Sequence, residues 1–161
     1  MRSKDLETQL IERALSSLEE RFGIDPDYFR SYHLFARRND VWCCTHQAGE
    51  VKLPRIVRRG LRIARVFEHS VRPTTNAAQL FGHLVKRNRI ELSEHETRLF
   101  LAGKTQDIHL PEGEGGECVT GVTGVTGGFV VAFYKGFALG IGLLKGKKLK
   151  SQVPRSRRVI G

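Results

Sequence analysis

The sequence predicts an α+β protein: an N-terminal α/β module followed by a small, closed β-sheet of barrel type. Three observations carry this. Apolar residues recur at helical spacing in two stretches of the first half. The stretch from Gly128 to Pro154 instead carries alternating apolar runs, with turn signals at Lys135-Gly136 and Gly146-Lys147. The chain has 161 residues, enough for one ordinary domain or two small ones that share an interface.

The first helix is expected over residues 4–22. Leu6, Leu10, Ala14, Leu18 and Phe22 recur every fourth position, with Ile11 and Leu15 beside them, and Gly23 supplies a stop. Asp25-Pro26-Asp27 reads as a turn or a short helix start. The runs Tyr32 to Ala36 and Val41 to Thr45 read as a β-hairpin around an Asn39-Asp40 turn, with Trp42, Cys43 and Cys44 half-buried. Leu61 to Phe67 alternates as a strand. Asn76 or Thr75 is expected to cap a second helix that ends near Lys86-Arg87-Asn88, with Gln79 completing a capping box.

Arg89 to Leu92 reads as a short strand. Ser93 and Glu96 then form a capping box for a helix reaching Ala102, and Gly103 closes it. Residues 112–128 are glycine-rich and partly repetitive, read as a surface loop. The glycines at 121, 124 and 127 do not have the spacing of a nucleotide cradle, and Gly103-Lys104-Thr105 follows a helix rather than a strand. The C-terminal strands are expected at Phe129–Tyr134, Phe137–Lys145, Lys148–Lys150 and Arg157–Ile160. Gly140 and Gly142 within one of them mark a tight bend or a close backbone approach.

Charge gives the first functional clue. The net charge is +10, and it is segregated. Residues 1–50 carry −2, residues 51–90 carry +9, residues 91–128 carry −5 and residues 129–161 carry +8. Strong positive charge favours polyanionic partners, and two separate basic blocks make one stripe if the fold brings them together. The first block is rich in arginine, which pairs with phosphate through two hydrogen bonds and stacks on bases. The candidate binding residues are Arg55, Arg58, Arg59, Arg62, Arg65, Arg72, Lys86, Arg87 and Arg89 from the first block. The second block contributes Lys135, Lys145, Lys147, Lys148, Lys150, Arg155, Arg157 and Arg158, together with the backbone at Gly140 and Gly142.

Other chemistries find less support. Cys43-Cys44-x-His46 lacks the ligand gap of a zinc knuckle and no second ligand pair follows, so no metal is expected. The three cysteines (Cys43, Cys44, Cys118) are odd in number and fit reduced thiols. No paired carboxylates or nucleophile–base set suggests catalysis, and no glycine-rich cofactor turn appears, so neither enzyme activity nor a cofactor is expected. No apolar run reaches the roughly 18 residues that span a bilayer, and the N-terminus lacks a secretory core, so the expectation is a cytoplasmic protein without membrane contact.

The motifs after Arg89 carry a resemblance. A strand, a capped helix ending in Gly103-Lys104, a loop, and Val130-Val131-Ala132-Phe133-Tyr134-Lys135-Gly136 lead to Leu139-Gly140-Ile141-Gly142. A lysine-rich turn then leads to Leu149-Lys150-Ser151-Gln152-Val153-Pro154. This order resembles the PUA-like pseudo-barrel, in particular the RNA-binding C-terminal domain of bacterial rRNA cytosine-5 methyltransferases. Upstream, Arg72-Pro73-Thr74-Thr75-Asn76 through Leu80-Phe81-Gly82-His83 resembles stand-alone archaeal ribosome-biogenesis proteins that carry this domain after an α/β module.

The resemblance implies an N-terminal module over residues 1–86 and a PUA-like domain over 87–161. It implies binding of structured RNA, rRNA or tRNA, in ribosome biogenesis, rRNA processing or tRNA modification. The chain leaves no room for a methyltransferase domain, so the expected role is non-enzymatic. The alternative is a protein-interaction adaptor of an RNA-modifying enzyme or a pre-ribosomal particle, motivated by the apolar, nearly neutral first 50 residues.

Overall fold

The computed structural model describes residues 3–108 and 127–159. It is α+β, with a β-rich C-terminal part. Helix α1 (Ser3–Phe22) leads through a 3-10 turn (Pro26–Ser31) to strands β1 (His33–Arg37) and β2 (Asp40–Cys44) and a short helix α2 (His46–Glu50). Strands β3 (Leu61–Val66) and β4 (Val71–Pro73) complete a four-stranded antiparallel sheet in the order β1-β2-β3-β4. Helix α3 (Thr75–Phe81), strand β5 (Arg89–Glu91), helix α4 (Glu94–Leu101) and strand β6 (Thr105–Asp107) follow. The last strands are β7 (Gly127–Tyr134), β8 (Phe137–Lys145) and β9 (Lys148–Ser151). The second sheet runs β5-β7-β8-β9-β6, with β5 parallel to β7 and the other pairs antiparallel.

The apolar stripe of α1 is buried where the spacing places it: Ala14, Leu18 and Phe22 are at most 2% exposed. Leu6 departs from that expectation and is half-exposed. Gly23 ends the helix in the left-handed conformation (φ +69°). The carbonyls at this end accept bonds from a distant segment. Arg87 Nη2 donates to Glu19 O (2.7 Å), Lys86 N donates to Phe22 O (2.9 Å), and Asn88 Nδ2 donates to Arg21 O.

One core runs through both sheets. Leu18, Phe22, Phe29, Val41, Ile63 and Phe81 pack in the same cluster as Val131, Phe133 and Ile141 of β7 and β8. The opposite face of the second sheet builds a second cluster from Ile90, Phe100, Val130, Ala132, Leu144 and Leu149. Arg21 also ties the sheets together: its guanidinium donates to Phe129 O (2.7 Å) and Gly127 O (2.8 Å), and burial pushes its pKa down.

Several local expectations are corrected. The hairpin turn is Arg38-Asn39 rather than Asn39-Asp40: Asp40 pairs with Arg37 as the first residue of β2, and Arg38 takes the positive φ (+56°). Thr74, not Thr75 or Asn76, caps α3, its hydroxyl accepting from Ala77 N. Gln79 closes no capping box and instead donates to Leu139 O (3.1 Å). Helix α3 stops at Phe81 and tightens into a 3-10 turn over Gly82–Leu84, where Gly82 lies so close to Ala138 that a Cβ would sit 2.3 Å from the Ala138 Cβ.

Helix α2 and strands β4 and β6 have no counterpart among the elements the sequence predicts; β6 pairs antiparallel with β9. The strand expected at Arg157–Ile160 is replaced by a 3-10 turn over Arg155–Arg157 after Pro154, and Ile160 lies outside the described residues. The expected glycine-rich loop falls outside them as far as residue 126, as does Cys118, while Gly127 and Gly128 already belong to β7. The capping box at Ser93 and Glu96 is present as expected. Among the described residues, no helix is long and apolar enough to cross a membrane.

Candidate nucleic-acid interface

Strand alternation decides which cations face outward. In β3, Ile63 and Ala64 are buried while Arg62 and Arg65 project to the other face, helped by a register shift opposite Val41 and Trp42. Asp40 of the neighbouring strand holds both. Arg65 Nε and Nη2 reach the carboxylate at 2.6 and 2.9 Å, and Arg62 Nη1 reaches it at 3.1 Å. The hydrogen bond from Arg65 is the largest influence on Asp40. With Arg62 it keeps the carboxyl below its usual pKa, against the opposing push of burial. The two guanidiniums remain accessible, with side chains 39% and 46% exposed. Arg72 of β4 is the register partner of Arg65, so the arginines line adjacent strands.

The second block is built the same way. In β9 Leu149 and Ser151 are buried, and Lys148 and Lys150 point outward. Lys145 pairs with Lys148 across the β8–β9 hairpin, and Lys147 sits in its exposed turn. A hydrogen bond joins the basic edges of the two blocks: Arg72 Nη2 donates to Gln152 Oε1, two residues past Lys150. Arg157 lies near the same seam, its Nη1 3.5 Å from Gln79 Oε1, and Arg155 is exposed beside it.

Other candidates have structural engagements. Arg59 donates to Gly49 O (2.9 Å) and Val51 O and fastens the 46–60 segment. Arg58 lies 5.8 Å over the Trp42 ring, and Arg55 is exposed on the same segment. Lys86 and Arg87 do not close α3, as the charge argument expected; they lie at the end of α1, with Arg87 bonded there. Arg89 sits 4.1 Å over the Phe133 ring and 3.9 Å from Glu91. Lys135 covers Tyr134 at the β7–β8 turn. Arg158 donates to Val153 O (3.2 Å) and lies across Gly103.

Gly140 and Gly142 are a correction. Both are buried, so their backbone offers no open platform for RNA. The close approach they allow is internal. A Cβ at 140 would stand 3.0 Å from Thr75 Cγ2, and one at 142 would stand 2.5 Å from Leu149 Cδ1.

The sequence reading missed Asp40, which positions two arginines, and Arg21, which joins the sheets. Nothing short-range signals either, since their partners lie 22 to 108 residues away. Cys43 is buried, and burial, with Cys44 adding to it, raises its thiol to about 11, so it stays a neutral thiol at physiological pH.

Known proteins match the same region. Residues 87–159 fit the family model described as the methyltransferase RsmF PUA domain. The ribosomal RNA small subunit methyltransferase F of Aeromonas salmonicida (strain A449) is 32% identical over 146 residues, which cover 89% of this chain and 27% of the relative. The protein of the same name from Aeromonas hydrophila subsp. hydrophila is 30% identical over the same length and shares. The chain thus spans about a quarter of the length of these relatives. Over residues 87–159 it carries a PUA-like domain resembling the C-terminal domains of rRNA methyltransferases.

Proposed function

We propose that this chain binds structured RNA, rRNA or tRNA, as a non-enzymatic unit in rRNA modification or ribosome biogenesis. In this reading an N-terminal module (1–86) and a PUA-like pseudo-barrel (87–161) present one basic surface, and the RNA lies across their junction. Arg62, Arg65 and Arg72 on one side, and Lys145, Lys147, Lys148 and Lys150 on the other, hold phosphates. Folded RNA is then recognised mainly by its shape and its 2′-hydroxyls. Gly140 and Gly142 have no part in it.

The observation that carries the reading is the Arg72–Gln152 hydrogen bond, which brings the edge of the arginine block against the lysine strands. The family match over residues 87–159 supports the same reading, because that domain belongs to relatives named as rRNA methyltransferases. Exposed Leu53 and Val57, 65% and 89% accessible, favour a second reading as an adaptor that docks on an RNA-modifying enzyme or a pre-ribosomal particle. Recovery of RNA and no protein from native extract removes that second reading.

The test of the first is a salt titration. Affinity for a folded rRNA fragment is expected to fall about a thousandfold between roughly 50 and 200 mM salt if about six phosphates are contacted. Equal, weak affinity for heparin, DNA and RNA at physiological salt contradicts it.

A further inference from the structure

Phosphate binding does not account for what else lies on the outer face of the first sheet. Phe35 of β1 and Trp42 of β2 are register partners, so their side chains project together from one face. Their rings are nearly parallel, 12° apart, with centroids 6.5 Å from each other. His33, two residues before Phe35 on the same face, lies 5.8 Å from it at 26°. All three rings are partly exposed, whereas Val41 and Cys43 on either side of Trp42 are buried in the core. The sheet thus ends in a row of rings standing alike.

Cations border that row. Arg58 places its guanidinium 5.8 Å over the Trp42 ring, and Arg62, the register partner of Trp42, continues toward Arg65. The indole Nε1–H is buried with no hydrogen-bond partner, although a buried donor ordinarily has one. A cross-strand aromatic pair also steadies a hairpin. That role calls for neither a third ring nor a cation over the indole.

We propose that this face takes up unpaired nucleobases of RNA by stacking on the row formed by His33, Phe35 and Trp42. The inference rests on the RNA-binding reading above and narrows it. The positive border matches the flanking phosphates, and aromatic faces accept any base because each base has a π-face. A base inside a duplex has both faces covered by its neighbours, so the ligand is a loop, bulge or single-stranded end. The 46–60 segment, held by the Arg59 bonds to Gly49 O and Val51 O, closes the His33 end of the row, where Gly49 packs against that ring.

Trp42 is the chain's single tryptophan, so its emission reports on this face directly. The full chain is titrated at fixed ionic strength with an RNA hairpin bearing an unpaired loop, with a fully paired RNA duplex, and with heparin as a polyanion without bases. Binding is followed separately by anisotropy of a label on each ligand. The looped RNA is expected to quench Trp42 emission, and the duplex and heparin to leave it nearly unchanged. Phe35→Leu is expected to weaken binding of the looped RNA about tenfold and to leave heparin affinity as it was.

Looped RNA that binds without changing the emission overturns the stacking inference and leaves the RNA-binding reading standing. Equal quenching by heparin also overturns it, because the face then responds to charge or to movement of the covering segment. Absence of RNA binding by anisotropy overturns both. The emission measurement uses the unmodified chain, so it decides the matter even if Phe35→Leu does not fold.

Discussion

Asp40 governs how two of the proposed RNA-facing arginines are held. One carboxylate takes bonds from Arg65 and Arg62 and fixes both guanidiniums against the sheet instead of leaving them to sweep through solvent. With the carboxylate side chain only 16% exposed, the cluster is less screened than an open surface pair. Asp40→Asn is expected to cost about 1 kcal/mol of unfolding free energy at neutral pH, read from urea melts. The pKa of Asp40 is depressed in the folded state, so its contribution is complete above the unfolded value of roughly 3.9 and is lost as pH falls through the lower folded value. The difference between wild type and Asp40→Asn should therefore close in acid. A gap that persists unchanged at the lowest pH where the protein folds would assign the cost to packing. Sequence inspection could not find this residue, because an aspartate after Asn39 reads first as turn chemistry, and its partners come from another strand.

Single elements follow local rules where a local rule governs them. The stripe of α1, the Ser93 capping box and the Lys135-Gly136 turn were legible because spacing, cap and left-handed turn residues each act within a few positions. Helix α3 was less so. Its extent depends on Gly82 meeting Ala138 and on Gln79 meeting Leu139, contacts with a strand more than 50 residues on. Strand β6 has three residues and exists through its pairing with β9. In β8 the glycines correctly signalled close approach, yet one sequence cannot say what approaches. Here it is Thr75 at Gly140, and Leu149 and Phe100 at Gly142. Gly142→Ala is expected to destabilise the protein by about 1–3 kcal/mol through overpacking, measured by chemical denaturation. A neutral outcome would mean that Leu149 has room to turn aside.

At the scale of the whole molecule, the segregation of charge was legible, and the adjacency of the two basic blocks was not. Arg72 and Gln152 are 80 residues apart in sequence and meet only because β7 and β8 share a core with α1, β3 and α3. Several candidate cations serve the fold instead: Arg87 completes the end of α1, Arg59 fastens a segment and Arg158 crosses Gly103. Arg62, Arg65 and Arg72 stand on the first sheet and Lys145, Lys148 and Lys150 on the second, with Lys147 in its turn, and the junction account requires both sets.

That requirement is tested most directly by neutralising each set in turn and measuring the affinity for a folded rRNA fragment against salt. Arg62→Gln with Arg65→Gln is compared with Lys147→Gln with Lys148→Gln; neutral substitutions avoid setting new carboxylates beside Asp40. The junction account predicts that each pair weakens binding to a similar degree and lowers the salt slope by about 1.8, the value for two lost phosphate contacts. A loss confined to the lysine pair, with the arginine pair unchanged in affinity and slope, would contradict it and place the RNA on the C-terminal sheet alone.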